Sequence, residues 1–465
     1  MNAGLLWVAL PLAAAGAVGV WPKAPTRRKR WAAAGVAGLL ALAAVALPIG
    51  RPLPLLGYRW TWTLQAEWHL LGRGFALDAT ARPWLAALWA WAALWALLAA
   101  EARLAPDFPA WSLALPAGLT LALAAGDFLP AVLLLALNLV GLVFLWTPTV
   151  HRPRGVGVMR FLTAAVAGLP LLLLALARLP GLETAPPQTP EVHYTGLLLG
   201  LGLALWAGVF PFHIVYPLLG QETYPYRLGF GGWLTHVALV LVVLHWAPSV
   251  AWLRDNPALY ASLRTLGLGT IALAGGLLLV QRDLGRVVGY VMWLSTGWSW
   301  LALAQGLEGG ATAFLTLAWP RALLWLGWTW AVSVLGLPDA RFAARHLAGR
   351  GRAAPWVAAV AVLGLGAWAP WPGLGLGGLL TATALPTALA PWEWLLLAVA
   401  FIGPTWAAVR WARIFYLAPH EPTPNLPESP RERAWVVVVL AAWVAVAFLP
   451  GLWYAWAAAA RGWLP

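Results

Sequence analysis

Residues 228–247 read LGFGGWLTHVALVLVVLHWA, a stretch of twenty residues without Asp, Glu, Lys or Arg. A helix needs about 20 apolar residues to cross roughly 30 Å of hydrocarbon, and this stretch has that length. One titratable residue, His236, lies near its centre. The stretch therefore predicts a transmembrane helix that carries a histidine at mid-membrane, where polar groups are costly and often functional.

Similar runs recur along the whole chain. We count fourteen, bounded by charges and prolines, at about residues 3–20, 31–49, 75–98, 108–125, 128–146, 158–179, 193–217, 228–247, 261–280, 286–305, 310–335, 354–378, 392–416 and 434–458. Each is close to the membrane-spanning length. The predicted fold class is therefore all-α, a polytopic membrane protein with about 14 transmembrane helices.

The composition excludes several classes of protein. The chain has 465 residues, of which 62% are hydrophobic and only 10% are charged, whereas soluble domains carry about 25% charged residues. A soluble enzyme, a nucleic-acid-binding domain and a disordered protein are excluded. No cysteine is present, so disulfides and thiolate metal ligands are excluded as well. The lipid bilayer is the partner that this composition indicates.

The balance of cations is unusual. The formal charge is +13, with 29 Lys and Arg residues together. Only Lys23 and Lys29 are lysines, and both are predicted to lie in the loop after the first run. The remaining cations are arginines, so the chain has no lysine for a site inside the membrane.

The basic segments predict the orientation of the chain. They follow odd-numbered runs, at residues 23–30, 151–154, 282–286, 341–352 and 431–433. Because cytoplasmic loops are enriched in Lys and Arg, we expect both termini on the non-cytoplasmic side of a cell inner (plasma) membrane. Residues 50–74 form the longest outward loop and are predicted to make a small lid or hairpin.

Few polar residues lie inside the runs. His236 is a proton relay or a neutral histidine bonded to a carbonyl, since imidazole titrates near neutral pH. Arg321 follows Pro320 and cannot release its proton, so it is a fixed charge along a hydrated path or a structural clamp. Asn138 more often bonds a neighbouring helix than marks a pathway. His213, beside Pro211, is structural or part of a proton entry.

Sites for metals and cofactors are not indicated. The eight histidines are scattered, without a His-x-x-His or Glu-x-x-His pair, and neither a phosphate-binding loop nor a dinucleotide fingerprint is present. We therefore expect no cofactor, no metal and no active site in this chain. Redox or nucleotide chemistry would take place in partner proteins.

Four segments carry a resemblance to a known family. Residues 208–213 read GVFPFH and precede Pro217; residues 281–286 read QRDLGR and precede Gly289, Tyr290 and Gly297; residues 75–78 read FALD; and residues 321–325 read RALLW. These segments resemble the motifs G-x-x-P-x-H-x-W-L-P, Q-x-D-x-K-R-x-x-A-Y-S-S…G, f-x-L-D-G-L and K-A-L-L-F. Those motifs belong to the antiporter-like membrane subunits of respiratory complex I (NADH:quinone oxidoreductase) and of Mrp-type cation/proton antiporters.

The resemblance implies an architecture and a set of partners. It implies antiporter-like inverted repeats, each with a broken helix, at 108–247 and 248–416. Helices 1–3 would occupy 1–107, and a cytoplasmic loop with a C-terminal helix would occupy 417–465. Pro211, Pro217 and Pro320 are the expected helix breaks. The partners implied are other membrane subunits of a hetero-oligomeric complex, with no nucleic acid.

The family's titratable residues are nearly all replaced. Its fifth-helix glutamate falls at or near Asn138, and its broken-helix lysine falls within one residue of His236. The lysine of the D-x-K-R motif is Gly285, and the central lysine is Arg321. The exit charge would lie within 353–392, which has no charged residue. Asp283 and Arg286 are expected to pair with each other or with a neighbouring subunit.

Three functions remain open from the sequence. The chain is a membrane subunit of a complex I-like assembly that translocates H⁺ or Na⁺, with its own proton path rewired through His236 and Arg321 or inactive. Alternatively, it conducts protons to a soluble, zinc-containing partner in inorganic-carbon uptake. The third function is a structural spacer without ion conduction.

Overall fold

The computed structural model describes residues 2–21, 25–55, 60–99, 107–147, 155–209, 212, 214–336, 342–369, 371, 375–385, 389–417 and 427–463. Structural statements below concern these residues. They include Asn138, His236, Asp283, Arg286 and Arg321. Lys23, Pro211 and His213 lie outside the described residues.

Each of the fourteen predicted runs contains a helix. Those of the N-terminal part and first half are α1 (Leu10–Val20, preceded by a π-helical turn at Leu5–Ala9), α2 (Thr26–Ala46), α3 (Arg82–Leu98), α4 (Phe108–Ala124), α5 (Phe128–Trp146), α6 (Val156–Arg178), α7 (Pro190–Ala207), α8 (Val215–Glu222) and α9 (Pro225–Trp246). Lys29 lies in the first turns of α2 rather than in a loop, and it is buried.

The remaining helices continue the pattern. They are α10 (Ala251–Arg254), α11 (Pro257–Leu278), α12 (Leu284–Leu303), α13 (Leu307–Leu335), α14 (Ala344–Leu347), α15 (Arg350–Ala353), α16 (Pro355–Gly366), α17 (Gly375–Ala384), α18 (Pro391–Tyr416), α19 (Pro430–Phe448) and α20 (Pro450–Arg461). Short 3₁₀ turns occupy Ala79–Ala81 and Ala247–Ser249.

Three runs are divided into two helices. The seventh run gives α7 and α8, and the twelfth gives α16 and α17. The fourteenth gives α19 and α20, which meet at an angle of 79°. The bend lies at Leu449-Pro450-Gly451, because proline cannot continue the hydrogen-bond ladder of a helix. The last run is therefore not one straight span, as its length suggested.

Seven helices of the described part are long and apolar enough to cross a membrane individually, and the α19–α20 pair brings the number to eight. The other runs give helices that are short, divided, or rich in Gly, Ser and Trp, which lowers their mean hydropathy. The prediction of a polytopic all-α protein is confirmed. The count of about fourteen corresponds to the number of runs that contain a helix, whereas fewer helices are both long and apolar enough to cross a membrane individually.

The expected hairpin between the second and third runs is present twice. β1 (Pro52–Leu55) pairs antiparallel with β2 (Trp60–Thr63), and β3 (Glu67–Leu70) pairs antiparallel with β4 (Arg73–Ala76). The backbone N–H of Gly126 donates to the carbonyl of Gly74, which ties β4 to the turn between α4 and α5. We call this end of the bundle the hairpin end.

The first and last described helices both reach the hairpin end. The Ala3 N–H donates to the carbonyl of Gln65, between the two hairpins. The Trp456 indole of α20 donates to the carbonyl of Pro83, at the start of α3. This arrangement agrees with an even number of crossings.

The centre of the bundle is formed by α9, α12 and α13. A helix that is apolar on all sides is buried on all sides, and nearly every residue of α9 is buried. α9 packs against α4, α5, α7, α12 and α13. The central polar residues, His236 and Arg321, are carried by these helices.

Candidate central polar site

His236 lies in the middle of α9 and is only 5% exposed. Neither of its ring nitrogens has a hydrogen-bond partner among the described residues. α9 runs unbroken from Pro225 to Trp246, so His236 does not lie in a broken helix, and that implication of the resemblance is wrong. The bonded neutral histidine that the sequence left open is not observed either, because no carbonyl accepts from the ring.

A small cavity adjoins His236. Its volume is about 20 Å³, and its other walls are apolar side chains of α7, α9 and α12, including Leu203, Leu239 and Trp300. A cavity of this size has room for about one water molecule. The imidazole is the only titratable group among the residues that line the cavity, so no side chain there compensates a charge on the ring.

Arg321 lies in the middle of α13 and is 2% exposed. Its Nε donates to the carbonyl of Leu317 over 3.2 Å, and its Nη1 donates to the carbonyl of Ser295 over 3.0 Å and to Ser299 Oγ. All three acceptors are neutral. Within the described part of the chain, no carboxylate lies within ion-pair distance of this guanidinium, which leaves a permanent positive charge inside the bundle.

Phe314 is the neighbour that His236 and Arg321 share. Its ring centroid lies 6.3 Å from that of His236 and 5.5 Å from Arg321 Cζ. The side chain is fully buried. A cation over an aromatic face is attracted by the ring, so Phe314 helps to hold the guanidinium and also packs near the imidazole.

Asn138 lies on α5 and bonds across to α4. Its Nδ2 donates to the carbonyl of Leu115 over 3.3 Å, one residue before Pro116. A cavity of about 10 Å³ separates it from α9. The structure thus brings Asn138 to α4 rather than to His236, which fits the structural role of an intramembrane amide.

The break in the seventh run follows Gly208. That residue has φ of +61°, in the left-handed region that glycine adopts without a steric penalty. The Val209 N–H donates back to the carbonyl of Ala204. This part of the break expected from the sequence is present, although Pro211 and His213 lie outside the described residues.

The other two expected breaks are not at their prolines. Pro217 lies in the first turn of α8, where a missing N–H costs little. α13 continues through Pro320 for 29 residues. The lost backbone bond leaves the helix intact there because neighbouring helices enclose it, as they do for prolines in membrane proteins.

The absence of a lysine at Gly285 has a steric reason. A Cβ placed on Gly285 would overlap the carbonyl oxygen of Gly220 in α8, and a Cβ on Gly289 would meet the backbone of Pro217. α8 and α12 therefore touch backbone to backbone. Small residues allow such contact between membrane helices, and a lysine side chain would separate them.

Asp283 and Arg286 lie at the end of the bundle opposite the hairpins. The Arg286 backbone N–H donates to Asp283 Oδ1 over 3.0 Å, which caps α12. The Arg286 side chain donates to Gln221 Oε1 of α8. The expected pairing of these two residues is thus a backbone cap, and the guanidinium instead joins α12 to α8.

Sequence reasoning did not predict the ion pairs between helices, of which one joins two apolar runs. Arg264 of α11 and Glu393 of α18 form a bidentate pair, with 2.6 Å between Arg264 Nε and Glu393 Oε1. The glutamate side chain is 4% exposed and the arginine 30%. Charges inside two apolar runs were the available signal, but their partnership across 129 residues cannot be read from one sequence.

Comparison with known proteins identifies the architecture. No family model and no curated protein matches the chain. A chain in the membrane-bound sulfane sulfur reductase, an archaeal respiratory membrane complex, superposes with a TM-score of 0.80 at 16% identity, covering 100% of this chain and 98% of that one.

Two further structures give the same picture. A chain of respiratory complex I from Thermus thermophilus superposes with a TM-score of 0.74 at 20% identity, covering 97% of this chain and 98% of that one. A chain of the Mrp complex from Dietzia sp. DQ12-45-1b gives 0.73 at 18% identity, covering 98% and 97%. The chain is a multi-pass membrane protein with the fold of the antiporter-like subunits that the sequence motifs resemble.

Proposed function

We propose that this chain is a membrane subunit of a complex I-like or Mrp-like assembly that translocates H⁺ or Na⁺, and that its own central ion path is closed. The fold supports the first part, since three multisubunit membrane complexes contain chains of this shape. Its partners would be other membrane subunits, and any redox chemistry would belong to them.

The observation that carries the closed path is the central trio of His236, Phe314 and Arg321. A proton relay needs titratable groups joined by hydrogen bonds or water. Arg321 stays charged, His236 has no hydrogen-bond partner among the described residues, and Phe314 lies near both. The positions at which the resembled family carries lysine or glutamate are Asn138, Gly285 and Arg321.

The inverted repeats remain part of the proposal. The fourth of five runs is divided both in 108–247 and in 248–416, which supports two related halves. We further propose that the hairpin end faces away from the cytoplasm of an inner (plasma) membrane, because the described arginines of the basic segments, such as Arg282, Arg286 and Arg350, belong to the other end of the bundle.

A rewired proton path through His236 is the second candidate function. The unpaired ring nitrogens favour it, because a buried polar atom without a partner calls for an explanation, and catalysis is one. In this case a change of conformation during turnover would bring water to the ring.

The test of the parent assembly is purification of the tagged chain from its native membrane under mild detergent, followed by identification of the copurifying proteins. Other polytopic subunits together with quinone-binding or iron–sulfur proteins, or with further antiporter subunits, are expected. A single large soluble zinc protein would instead support the inorganic-carbon function. Recovery of the chain alone would contradict all of these assemblies.

A further inference from the structure

Arg321 is the only charged side chain of α9, α12 and α13 that lies beyond the first turns of its helix. The other charged residues of these helices are Arg227, Arg286 and Glu308, each within four residues of a helix start. Among the described residues, these three helices therefore carry one charge away from their ends, and that charge is positive.

The charge is held in place without being neutralised. Three hydrogen bonds to two carbonyls and a serine hydroxyl fix the guanidinium, but none of these acceptors carries a negative charge. By contrast, the buried Arg227 pairs with Asp107 over 2.5 Å. A fixed, uncompensated charge in surroundings of low dielectric repels a second cation over several ångströms.

We propose that Arg321, with Phe314 packed beside it, is a cation barrier that keeps this subunit impermeable to H⁺ and Na⁺ along its centre. Pore-lining arginines can exclude protons and cations in this way. The inference rests on the proposed function, because a barrier matters only where an ion gradient exists. Arg321 also joins α13 to α12 through Ser295 and Ser299, so the barrier is a role in addition to that contact.

The experiment measures passive ion leak in proteoliposomes that contain the intact assembly without its substrate. An imposed membrane potential drives H⁺ or Na⁺ inward, and a fluorescent dye reports the rate. Arg321→Gln removes the charge and retains hydrogen-bond donors. We expect its leak to rise about tenfold. The charge of Arg321 repels a cation several ångströms away by an energy that corresponds to such a factor, and the variant lacks this repulsion. Arg227→Gln, which removes a buried arginine at the end of α9, is the matched control and is expected to leave the leak unchanged.

Arg321→Lys gives an independent readout. A desolvated lysine can lose its proton, whereas arginine cannot. The lysine variant should therefore hold back cations at about pH 6 and leak at about pH 9, while the wild-type leak shows no such rise. A structural role alone would not produce this pH dependence, and the lysine variant decides the question if Arg321→Gln fails to assemble.

The outcomes separate the barrier from the proposed function. The barrier alone is overturned if Arg321→Gln leaks no faster than wild type, or if the leak of Arg321→Lys does not depend on pH. In both cases the assembly must still translocate ions. If the intact wild-type assembly translocates neither H⁺ nor Na⁺, the proposed function is overturned instead.

Discussion

Two arginines inside predicted membrane runs have opposite surroundings, one half-buried in the outer part of the second half and one fully buried at the centre of the bundle. Near the hairpin end, Arg264 meets Glu393 in a bidentate pair that joins α11 to α18. At the centre, Arg321 meets only neutral oxygens and the face of Phe314. The first charge can be understood as a clamp between helices. The second is costly without a compensating partner, and a charge of this kind inside a membrane points to a functional role.

The largest effect is expected from breaking the clamp. Arg264→Met leaves Glu393 without its cation and should lower the free energy of unfolding by about 2–3 kcal/mol, less than for a fully buried pair because Arg264 is 30% exposed. The chain has 35 tryptophans, so their intrinsic fluorescence can follow thermal unfolding in detergent. The double variant Arg264→Met with Glu393→Leu should recover much of the loss. A single variant as stable as wild type would show that the pair is not a clamp.

Arg321→Met should change the stability far less. It removes a buried charge that has no counterion, which favours folding, and with it three hydrogen bonds and the contact with Phe314, which opposes folding. We expect the free energy of unfolding to change by no more than about 1 kcal/mol, while the passive leak rises. Thermal unfolding under the same conditions gives the comparison. Destabilisation as large as that of Arg264→Met would mean that Arg321 is a clamp too.

His236→Leu is expected to be slightly stabilising, by about 1 kcal/mol, because it removes two buried nitrogens that lack hydrogen bonds. His245→Leu, near the hairpin end of the same helix, is the control for loss of a histidine. If only the His236 variant unfolds at a lower temperature than wild type, the imidazole makes stabilising hydrogen bonds in the folded protein and belongs to a polar network.

The smallest effect is expected from Asn138→Leu. It removes one hydrogen bond of 3.3 Å to the carbonyl of Leu115, and such bonds between membrane helices contribute about 0.6 kcal/mol. Ion translocation by the assembly should be unchanged. Translocation lost at normal assembly would show that Asn138 replaces the family's glutamate in function as well as in position.

The sequence was sufficient for the architecture because membrane helices are specified locally. Apolar length located a helix in every run, and the GVFPFH segment marked the first break. The bend at Pro450 was missed because the run around it remains apolar. Lys29 was assigned to a loop because its basic neighbours conceal that the helix begins at Thr26.

The site was only partly predictable. His236 and Arg321 could be singled out, since a polar residue in an apolar run is conspicuous. What surrounds them depends on contacts between distant segments, such as Phe314 against His236 or Ser299 against Arg321. The reason why position 285 is a glycine likewise lies in another helix, because a side chain there would meet the backbone of α8. The sequence shows that the lysine is absent but not why.

The most direct test of the closed path is the number of ions translocated per turnover by the intact assembly, measured in proteoliposomes at the initial rate. The comparison is between wild type, His236→Leu and the control His245→Leu, all with Arg321 in place. The proposed closed path predicts the same number for all three. A lower number in His236→Leu alone, with assembly intact, would contradict it and establish His236 as a working proton relay.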